Sequence, residues 1–192
     1  MRPVPEIRTD RLLLRGWGER DRAPFAAINA DPEVTRYLGG GARGRAASDA
    51  LLDSIVRHWS ERGFGLWALE RHDGMFVGFT GLARPTFEAP FMPAVEVGWR
   101  LARPAWGHGY ATEAGRAAIR FGFETVGLDA IVSFTVPANL RSRGVMERLG
   151  MTHSAGDDFD HPKLEPGDPL RRHVLYRLRR SEWERTTRAS PA

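Results

Sequence analysis

The 192-residue sequence contains no cysteine, and only one of its 28 lysine and arginine residues, Lys163, is a lysine. Without cysteine the chain can form no disulfide, no thiolate metal site and no thiol nucleophile. Its six histidines lack the spacing of an HExxH-type site, so no metal is expected.

Long apolar runs are also missing. The chain lacks a stretch of roughly 18 apolar residues, which a membrane-spanning helix needs, so no membrane association is expected. The first residues, Met1 to Glu6, lack the apolar core of a signal peptide, which favours the cytoplasm. The arginines are scattered and form no basic, aromatic-interleaved stripe, so direct nucleic-acid binding is not expected either.

The periodicity of apolar residues predicts alternating strands and helices. Period-two alternation or short apolar runs predict strands at 11–15, 64–70, 75–82, 94–101, 131–136, 151–153 and 173–179. Helical spacing predicts helices at 21–30, 48–62, 107–123 and 140–149. We expect a single domain over residues 1–180, followed by a polar C-terminal tail at 181–192 that frays.

The most informative segment is Trp106 to Ala114, a glycine-rich turn between a predicted strand and a predicted helix. Such a turn offers several backbone N–H groups and the positive end of a helix dipole, an arrangement that suits phosphate. No Gly-Lys-Ser/Thr follows, which excludes a Walker-type loop, and Thr112 stands where a dinucleotide fingerprint needs glycine. The segment predicts another kind of phosphate-bearing ligand.

Several motifs in their order along the chain resemble the GNAT superfamily of N-acetyltransferases, in the branch of the ribosomal-protein-alanine (RimJ/RimL-type) enzymes. They are Thr9–Arg15, Asp31–Val34, Gly78–Leu82, Trp106–Ala114, and Asn139–Ser142 leading to Gly150-Met151. The resemblance implies an α+β fold with a mixed, mostly antiparallel sheet of six to seven strands. That sheet is splayed in its middle and carries helices on both faces.

The resemblance also implies acetyl-CoA as cosubstrate and a set of residues that bind it. The family signature Arg/Gln-x-x-Gly-x-Gly/Ala falls on Trp106 to Ala111, with Trp106 in place of Arg or Gln. The amides of Gly107, His108, Gly109, Tyr110 and Ala111 would hold the pyrophosphate. The backbone at Trp99, Arg100 and Leu101 would pair with the pantetheine arm, and Asn139 and Ser142 would lie near the thioester.

The catalytic groups are less clearly marked. Many members of the superfamily use a tyrosine as general acid, but the matching position here is Met146, which leaves Ser142 as the candidate proton donor. Alternatively, Asn139 and Ser142 serve only to start their helix. Glu96 is a candidate base, unless it is solvated or paired with Arg100. Asp158, Asp160 and His161 form a rival base group, unless they belong to a solvated loop.

These observations predict an enzyme that acetylates a primary amine by direct attack in a ternary complex, because no cysteine could carry the acetyl group. The acceptor is a protein N-terminus or a small molecule, and the enzyme is a monomer or homodimer. The segments 84–93 and 157–169 are expected to shape the acceptor pocket, with acids suited to a cationic amine. The alternatives are a catalytically silent acyl-CoA-binding module and a ribosome- or RNA-associated protein.

Overall fold

The computed structural model describes residues 3–189. Its strands are β1 (Ile7–Arg8), β2 (Leu12–Arg15), β3 (Leu66–Arg71), β4 (Phe76–Ala83), β5 (Glu96–Leu101), β6 (Ala130–Thr135), β7 (Thr152–His153), β8 (Phe159–Asp160) and β9 (Arg172–Arg179). Its α-helices are α1 (Arg22–Ala30), α2 (Pro32–Thr35), α3 (Arg45–Arg62), α4 (Tyr110–Phe121), α5 (Leu140–Arg148) and α6 (Arg180–Ala189). A π-helical turn, Gly122–Val126, extends α4.

The strands form one sheet in the order β1-β2-β3-β4-β5-β6-β9-β7, with β8 also paired to β9. Six of the nine strands found in residues 3–189 are four or more residues long, in agreement with the predicted sheet. Every recorded pairing is antiparallel except that of β5 with β6, which is parallel and consists of the single register pair Glu96–Val132. The sheet is therefore splayed between its middle strands, as the resemblance implied.

Helices cover both faces of the sheet. Phe79 of β4 contacts Phe25 of α1, with 5.9 Å between ring centroids. Because successive strand residues point to opposite faces, Thr80 points to the other side. Its partner on β3, Trp67, contacts Phe121 of α4 with 5.1 Å between centroids. We call these two sides the α1 face and the α4 face.

The predicted helices correspond to α1, α3, α4 and α5, with shifts at their ends. The largest shifts are of three residues: α3 begins at Arg45 rather than Ser48, and α4 begins at Tyr110 rather than Gly107. Gly107 and Gly109 have φ angles of +79° and +81°, and such left-handed residues cannot continue a right-handed helix.

The expectation of a fraying tail is wrong for its described part. Residues 180–189 form helix α6, and Trp183 packs on Phe123 with 5.2 Å between ring centroids. The polar composition of the segment hid this one aromatic anchor; residues 190–192 lie outside the described part of the chain. No helix among residues 3–189 is long and apolar enough to cross a membrane.

A buried ion network joins β2, β3 and the turn before α1. The Arg15 guanidinium donates two hydrogen bonds of 2.8 Å to the Asp21 carboxylate and one of 2.9 Å to Glu70. The side chains of Arg15 and Asp21 are only 7% and 1% exposed. Asp21 also accepts the Gly18 N–H at 2.8 Å, so the network fixes how the chain enters α1.

Replacing Asp21 with alanine should lower the free energy of unfolding by about 3–5 kcal/mol, because it leaves the Arg15 charge buried without its bidentate partner. Urea denaturation measures the loss. As a control, Asp53→Ala removes a half-exposed partner of Arg22 and should cost less than about 1 kcal/mol. Equal losses in the two variants would contradict a special contribution of the buried network.

Candidate active site

The loop between β5 and α4 has the geometry of an anion cradle. The N–H groups of residues 107–109 have no backbone acceptor within residues 3–189, and they precede the N-terminus of the 12-residue helix α4. A Cβ added at Gly107 would meet no atom within 4 Å, so the space in front of this backbone is open. Free amides at a helix N-terminus with open space before them suit a phosphate group.

An ion pair that sequence reasoning missed braces this loop. Glu113 on α4 accepts hydrogen bonds from the Arg11 Nε at 2.7 Å and the Thr9 hydroxyl at 2.6 Å. Arg11 in turn donates from Nη1 to the carbonyl of His108 at 2.8 Å. Burial alone would raise the pKa of Glu113, but the hydrogen bonds from Thr9 and Arg11 outweigh it and lower the pKa. Arg11 thus anchors the loop and adds positive charge beside it.

The indole ring of Trp106 makes two contacts that help to fix the loop. Its indole Nε1 donates to the carbonyl of Leu101 at 2.9 Å, which fixes the start of the loop to the end of β5. The guanidinium of Arg141 lies 4.6 Å from the centroid of the Trp106 ring. Where the family signature has Arg or Gln, the tryptophan therefore holds an arginine from α5 near the loop.

The gap between β5 and β6 exposes the backbone of β5. Ala102 donates to Val77 of β4 and Gly98 accepts from Thr80, so even-numbered residues of β5 direct their polar backbone groups toward β4. By alternation, the groups of Trp99 and Leu101 face away from β4 toward the gap, where the Leu101 carbonyl accepts from Trp106. The structure differs from what the resemblance implied at Arg100, whose N–H and C=O face β4.

At the start of α5, Asn139 acts as the N-cap, since its Oδ1 accepts from the backbone N–H of Ser142 at 3.3 Å. The Asn139 amide also donates to the Ser142 hydroxyl at 3.1 Å and to the Thr135 hydroxyl at 2.9 Å. Ser142 remains partly exposed, whereas Met146 is buried in the core. The capping role predicted for Asn139 is present, and the Ser142 hydroxyl is free to donate its own proton.

Glu96 lies at the vertex of the gap, because it forms the one register pair between β5 and β6. Its Oε1 comes within 3.7 Å of where a Cβ would stand at Gly98, so both residues are on the α1 face. The guanidinium of Arg100 is hydrogen-bonded to Asn29 instead, and no pairing with Glu96 is seen within residues 3–189. Burial raises the pKa of Glu96 to about 8.

Three aspartates of the segment 157–169, Asp157 and the two of the rival base group, contact arginine or histidine side chains of the chain itself. The contacts are Asp157–Arg177 at 3.6 Å, Asp158–His153 at 2.7 Å, and Asp160 to both Arg171 and Arg172 at 3.4 Å. Arg177, Arg171 and Arg172 therefore offset part of the negative charge of Asp157 and Asp160, which was expected to face a cationic acceptor.

His161 belongs to an aromatic cluster on the α1 face. Its ring lies 4.5 Å from that of Phe87, and its Nδ1 accepts the backbone N–H of Lys163 at 3.3 Å. Burial, and then the neighbouring His173 and Lys163, lower its pKa. His161 is thus a neutral imidazole near pH 7, with its proton on Nε2.

The loop 84–93 packs against β6 and β8 on the α1 face. Phe87 packs on Phe134 of β6, and Phe91 packs on Phe159 of β8, with 5.7 and 4.8 Å between ring centroids. Lys163 ties the loop to the segment after β8 by donating from Nζ to the Thr86 hydroxyl at 2.9 Å. Residues 3–189 contain no group of three His, Asp or Glu side chains placed to hold a metal ion.

Comparison with known proteins identifies the family. The acetyltransferase (GNAT) domain matches residues 11–152. The chain is 33% identical over 200 aligned positions to the FsC-acetyl coenzyme A-N(2)-transacetylase of Aspergillus fumigatus, covering 97% of this chain and 81% of that protein. The chain belongs to the GNAT acetyltransferase family.

Solved structures agree in fold. An acetyltransferase from Agrobacterium tumefaciens superimposes with a TM-score of 0.74 at 28% identity, covering 94% of this chain and 97% of that one. The spermidine N-acetyltransferase of Vibrio cholerae, crystallised with CoA and spermine, gives a TM-score of 0.72 at 15% identity, covering 92% and 99%. The protein is accordingly an N-acetyltransferase, an enzyme that transfers an acetyl group to an amine.

Members of this family take the acetyl group from acetyl-CoA, and the residues described here fit that cosubstrate. The open backbone at Gly107 and the free amides of the loop suit its pyrophosphate. The backbone of Trp99 in the gap suits its amide-containing arm. Arg11 and Arg141 place two cations beside the loop.

Replacing Arg11 with methionine should weaken CoA binding about tenfold, or about 1.4 kcal/mol, because the loop loses both its anchor at the His108 carbonyl and a nearby charge. Isothermal titration calorimetry with CoA measures the change. Arg8→Met removes an equal charge from an exposed site three residues before Arg11 and should leave the Kd unchanged. An unaltered Kd in Arg11→Met would contradict the assigned role.

Proposed function

We propose that this enzyme transfers the acetyl group of acetyl-CoA directly to a neutral primary amine in a ternary complex, with Glu96 as the general base. The observation that carries the proposal is the position of Glu96. It is a half-buried carboxyl group on the α1 face at the vertex of the strand gap, and burial raises its pKa to about 8. The pKa of an effective base lies near the working pH, so this carboxyl suits the task.

The proton balance of the reaction explains why such a base is useful. The amine nitrogen forms a bond to the acetyl carbon while the carbon–sulfur bond breaks, and the nitrogen loses a proton to Glu96. An α-amine has a pKa of ~8, so roughly a tenth of it is already neutral at pH 7, whereas a lysine amine with a pKa of ~10.4 is almost wholly charged. Glu96 and an α-amine are therefore well matched for proton transfer.

Ser142 is the proposed proton donor to the departing thiolate; water then returns a proton to the serine oxygen, and Glu96 releases to water the proton taken from the amine. The hydroxyl oxygen of Ser142 accepts from the Asn139 amide, which leaves the hydroxyl hydrogen free to point elsewhere. Met146, at the position of the family's tyrosine, is buried and has no proton to give. His161 remains a second candidate base, because it is neutral near pH 7, and Asp160 is a weaker one, because two arginines hold it.

Two classes of acceptor are supported. The resemblance to the ribosomal-protein branch supports a protein N-terminus as acceptor. Either a monomer or a homodimer would be compatible with both acceptor classes. The Aspergillus relative, whose name assigns acetyl transfer to an N(2) nitrogen, supports an acceptor with one defined nitrogen, such as a small molecule. A catalytically silent binding module would not need an acid with a raised pKa beside the gap, and the position of Glu96 therefore favours catalysis.

Replacing Glu96 with glutamine should lower kcat by about 10²–10⁴-fold, because the amine then loses its proton without a base. The pH dependence gives a sharper test. Since the folded pKa is about 8, the fraction of Glu96 in the carboxylate form rises about tenfold per pH unit from pH 6 toward pH 8. The slope of log kcat/KM against pH should therefore fall by about one in the variant. Thiol release from acetyl-CoA with a panel of amines measures both quantities.

Glu124→Gln is the matched control for this experiment. Glu124 is an exposed glutamate in the π-helical turn after α4, and its replacement should leave both kcat and the pH slope as they are. If Glu96→Gln kept the wild-type slope, another group would be the base.

Replacing Ser142 with alanine should lower kcat by about 10²-fold, the lower end of the range for a general acid, because a thiolate is a comparatively good leaving group. The Kd for CoA should not change, since the helix cap uses the backbone N–H of Ser142 and not its hydroxyl. Ser142→Thr restores the hydroxyl and should restore activity. If the role of Ser142 were purely structural, Ser142→Ala would instead lose thermal stability as well as activity.

A further inference from the structure

The α1 face of β5 forms an open floor that leads from Glu96 to Arg100. The residue between them on this face is Gly98, and the atom that an added Cβ would meet within 4 Å is the Oε1 of Glu96 itself. Residues two apart on a strand share a face, so Glu96 and Arg100 lie at the two ends of one uncovered stretch. Its Cα atoms span roughly 13 Å at ~3.3 Å per residue.

Arg100 lies at the far end of this floor without a counter-charge. Its guanidinium donates to the Oδ1 of Asn29 and lies over the Phe79 ring, 5.4 Å from the centroid. Both of these partners are uncharged, and no carboxylate pairs with Arg100 within residues 3–189. Burial, and then the charge of Arg43, lower the pKa of Arg100 to about 10.

Arg43 brings a second unpaired cation to the same place. Its backbone N–H donates to the carbonyl of Asn29 at 2.8 Å, so Asn29 links it to Arg100. The Nε of Arg43 is buried and has no hydrogen-bond partner in the part of the chain that the structure describes. Two arginines from separate segments, the loop before α3 and strand β5, thus converge with like charge.

Arg15, which is buried, differs from Arg43 and Arg100 in having carboxylate partners. Arg15 is paired with both Asp21 and Glu70. Shielding a charged group without a counter-ion is unfavourable, and an unmet guanidinium N–H adds to that cost. A bound anion would offset both, and the planar fork of arginine matches a carboxylate in shape.

We propose that Arg43 and Arg100 bind a carboxylate group of the acceptor, so that the substrate is an amine that also carries a carboxylate. This inference rests on the proposed function, since it needs the amine at the Glu96 end of the floor. A carboxylate-bearing acceptor also fits these charges better than a polyamine does: Asp157 and Asp160 of the segment 157–169 are paired with arginines, while Arg43 and Arg100 have no carboxylate partner within residues 3–189.

The test compares carboxylates with their primary amides as acceptors. The probes are α-amino acids and the linear series H₂N–(CH₂)ₙ–COO⁻ with n from one to five, each beside its amide, and thiol release from acetyl-CoA gives kcat/KM. We expect at least one acid to be preferred over its amide by tenfold or more, at a chain length that reports the distance from Glu96 to the arginines. Equal use of acids and amides throughout the series would overturn the proposal.

Variants of the two arginines test whether these residues cause the preference for acids over amides. Arg43→Gln should bring the acid-to-amide ratio close to one, and it should not disturb folding, because the Arg43 Nε bonds to nothing in the described chain. Arg100→Gln should have the same effect. Arg57→Met removes an equal charge from an exposed position on α3 and should keep the full ratio. A ratio that survived both Arg43→Gln and Arg100→Gln would also overturn the proposal.

A binding measurement separates this inference from the proposed function. The N-acetylated acids and their amides have no free amine, and calorimetry measures their Kd directly. Acid-over-amide binding that depends on Arg43, in an enzyme that turned over no amine, would support the carboxylate site and contradict the proposed catalysis. Turnover of amines without any such discrimination would support the catalysis and overturn the carboxylate site.

Discussion

The active site depends on a parallel strand pair that is only one register pair long. Glu96 and Val132 join β5 to β6, and beyond them the two strands diverge. That divergence frees the backbone of Trp99, places Glu96 at the vertex, and leads from β5 into the loop and N-terminus of α4. A longer ladder would consume the same N–H and C=O groups and close the gap, so the splay is the feature from which binding and chemistry both follow.

Burial shifts the pKa values of the acidic and basic groups of this cleft in opposite directions. It disfavours the ionised form of every group, which makes Glu96 a carboxyl that holds its proton near neutral pH and makes Arg100 an easier group to deprotonate. In the core, the cost is offset within the chain, as Asp21 does for Arg15. In the cleft the cost of burial is not offset within the chain, and Glu96 and Arg100 lie at the two ends of the same strand face. In the proposed complex, the substrate supplies the charged partners that these groups lack.

Much of the fold followed from the sequence because its signals are local. The alternation around Val97 and Leu101 marks β5, and the glycines at 107 and 109 mark the loop and the start of α4. The parts that sequence reasoning missed depend on distant partners. Glu113 meets Arg11 across about a hundred residues, and the Arg43–Asn29–Arg100 group draws on three separate segments. Helix α6 was missed because one aromatic contact, Trp183 with Phe123, outweighs a polar composition.

The single lysine of the chain has a practical consequence. Lys163 donates to the Thr86 hydroxyl and so joins the loop 84–93 to the segment after β8. Amine-reactive reagents therefore find one lysine side chain in this sequence, and it lies between these two segments. A fluorophore attached there reports on the opening between these two segments without mutagenesis, and only the α-amine of the N-terminus competes for the label.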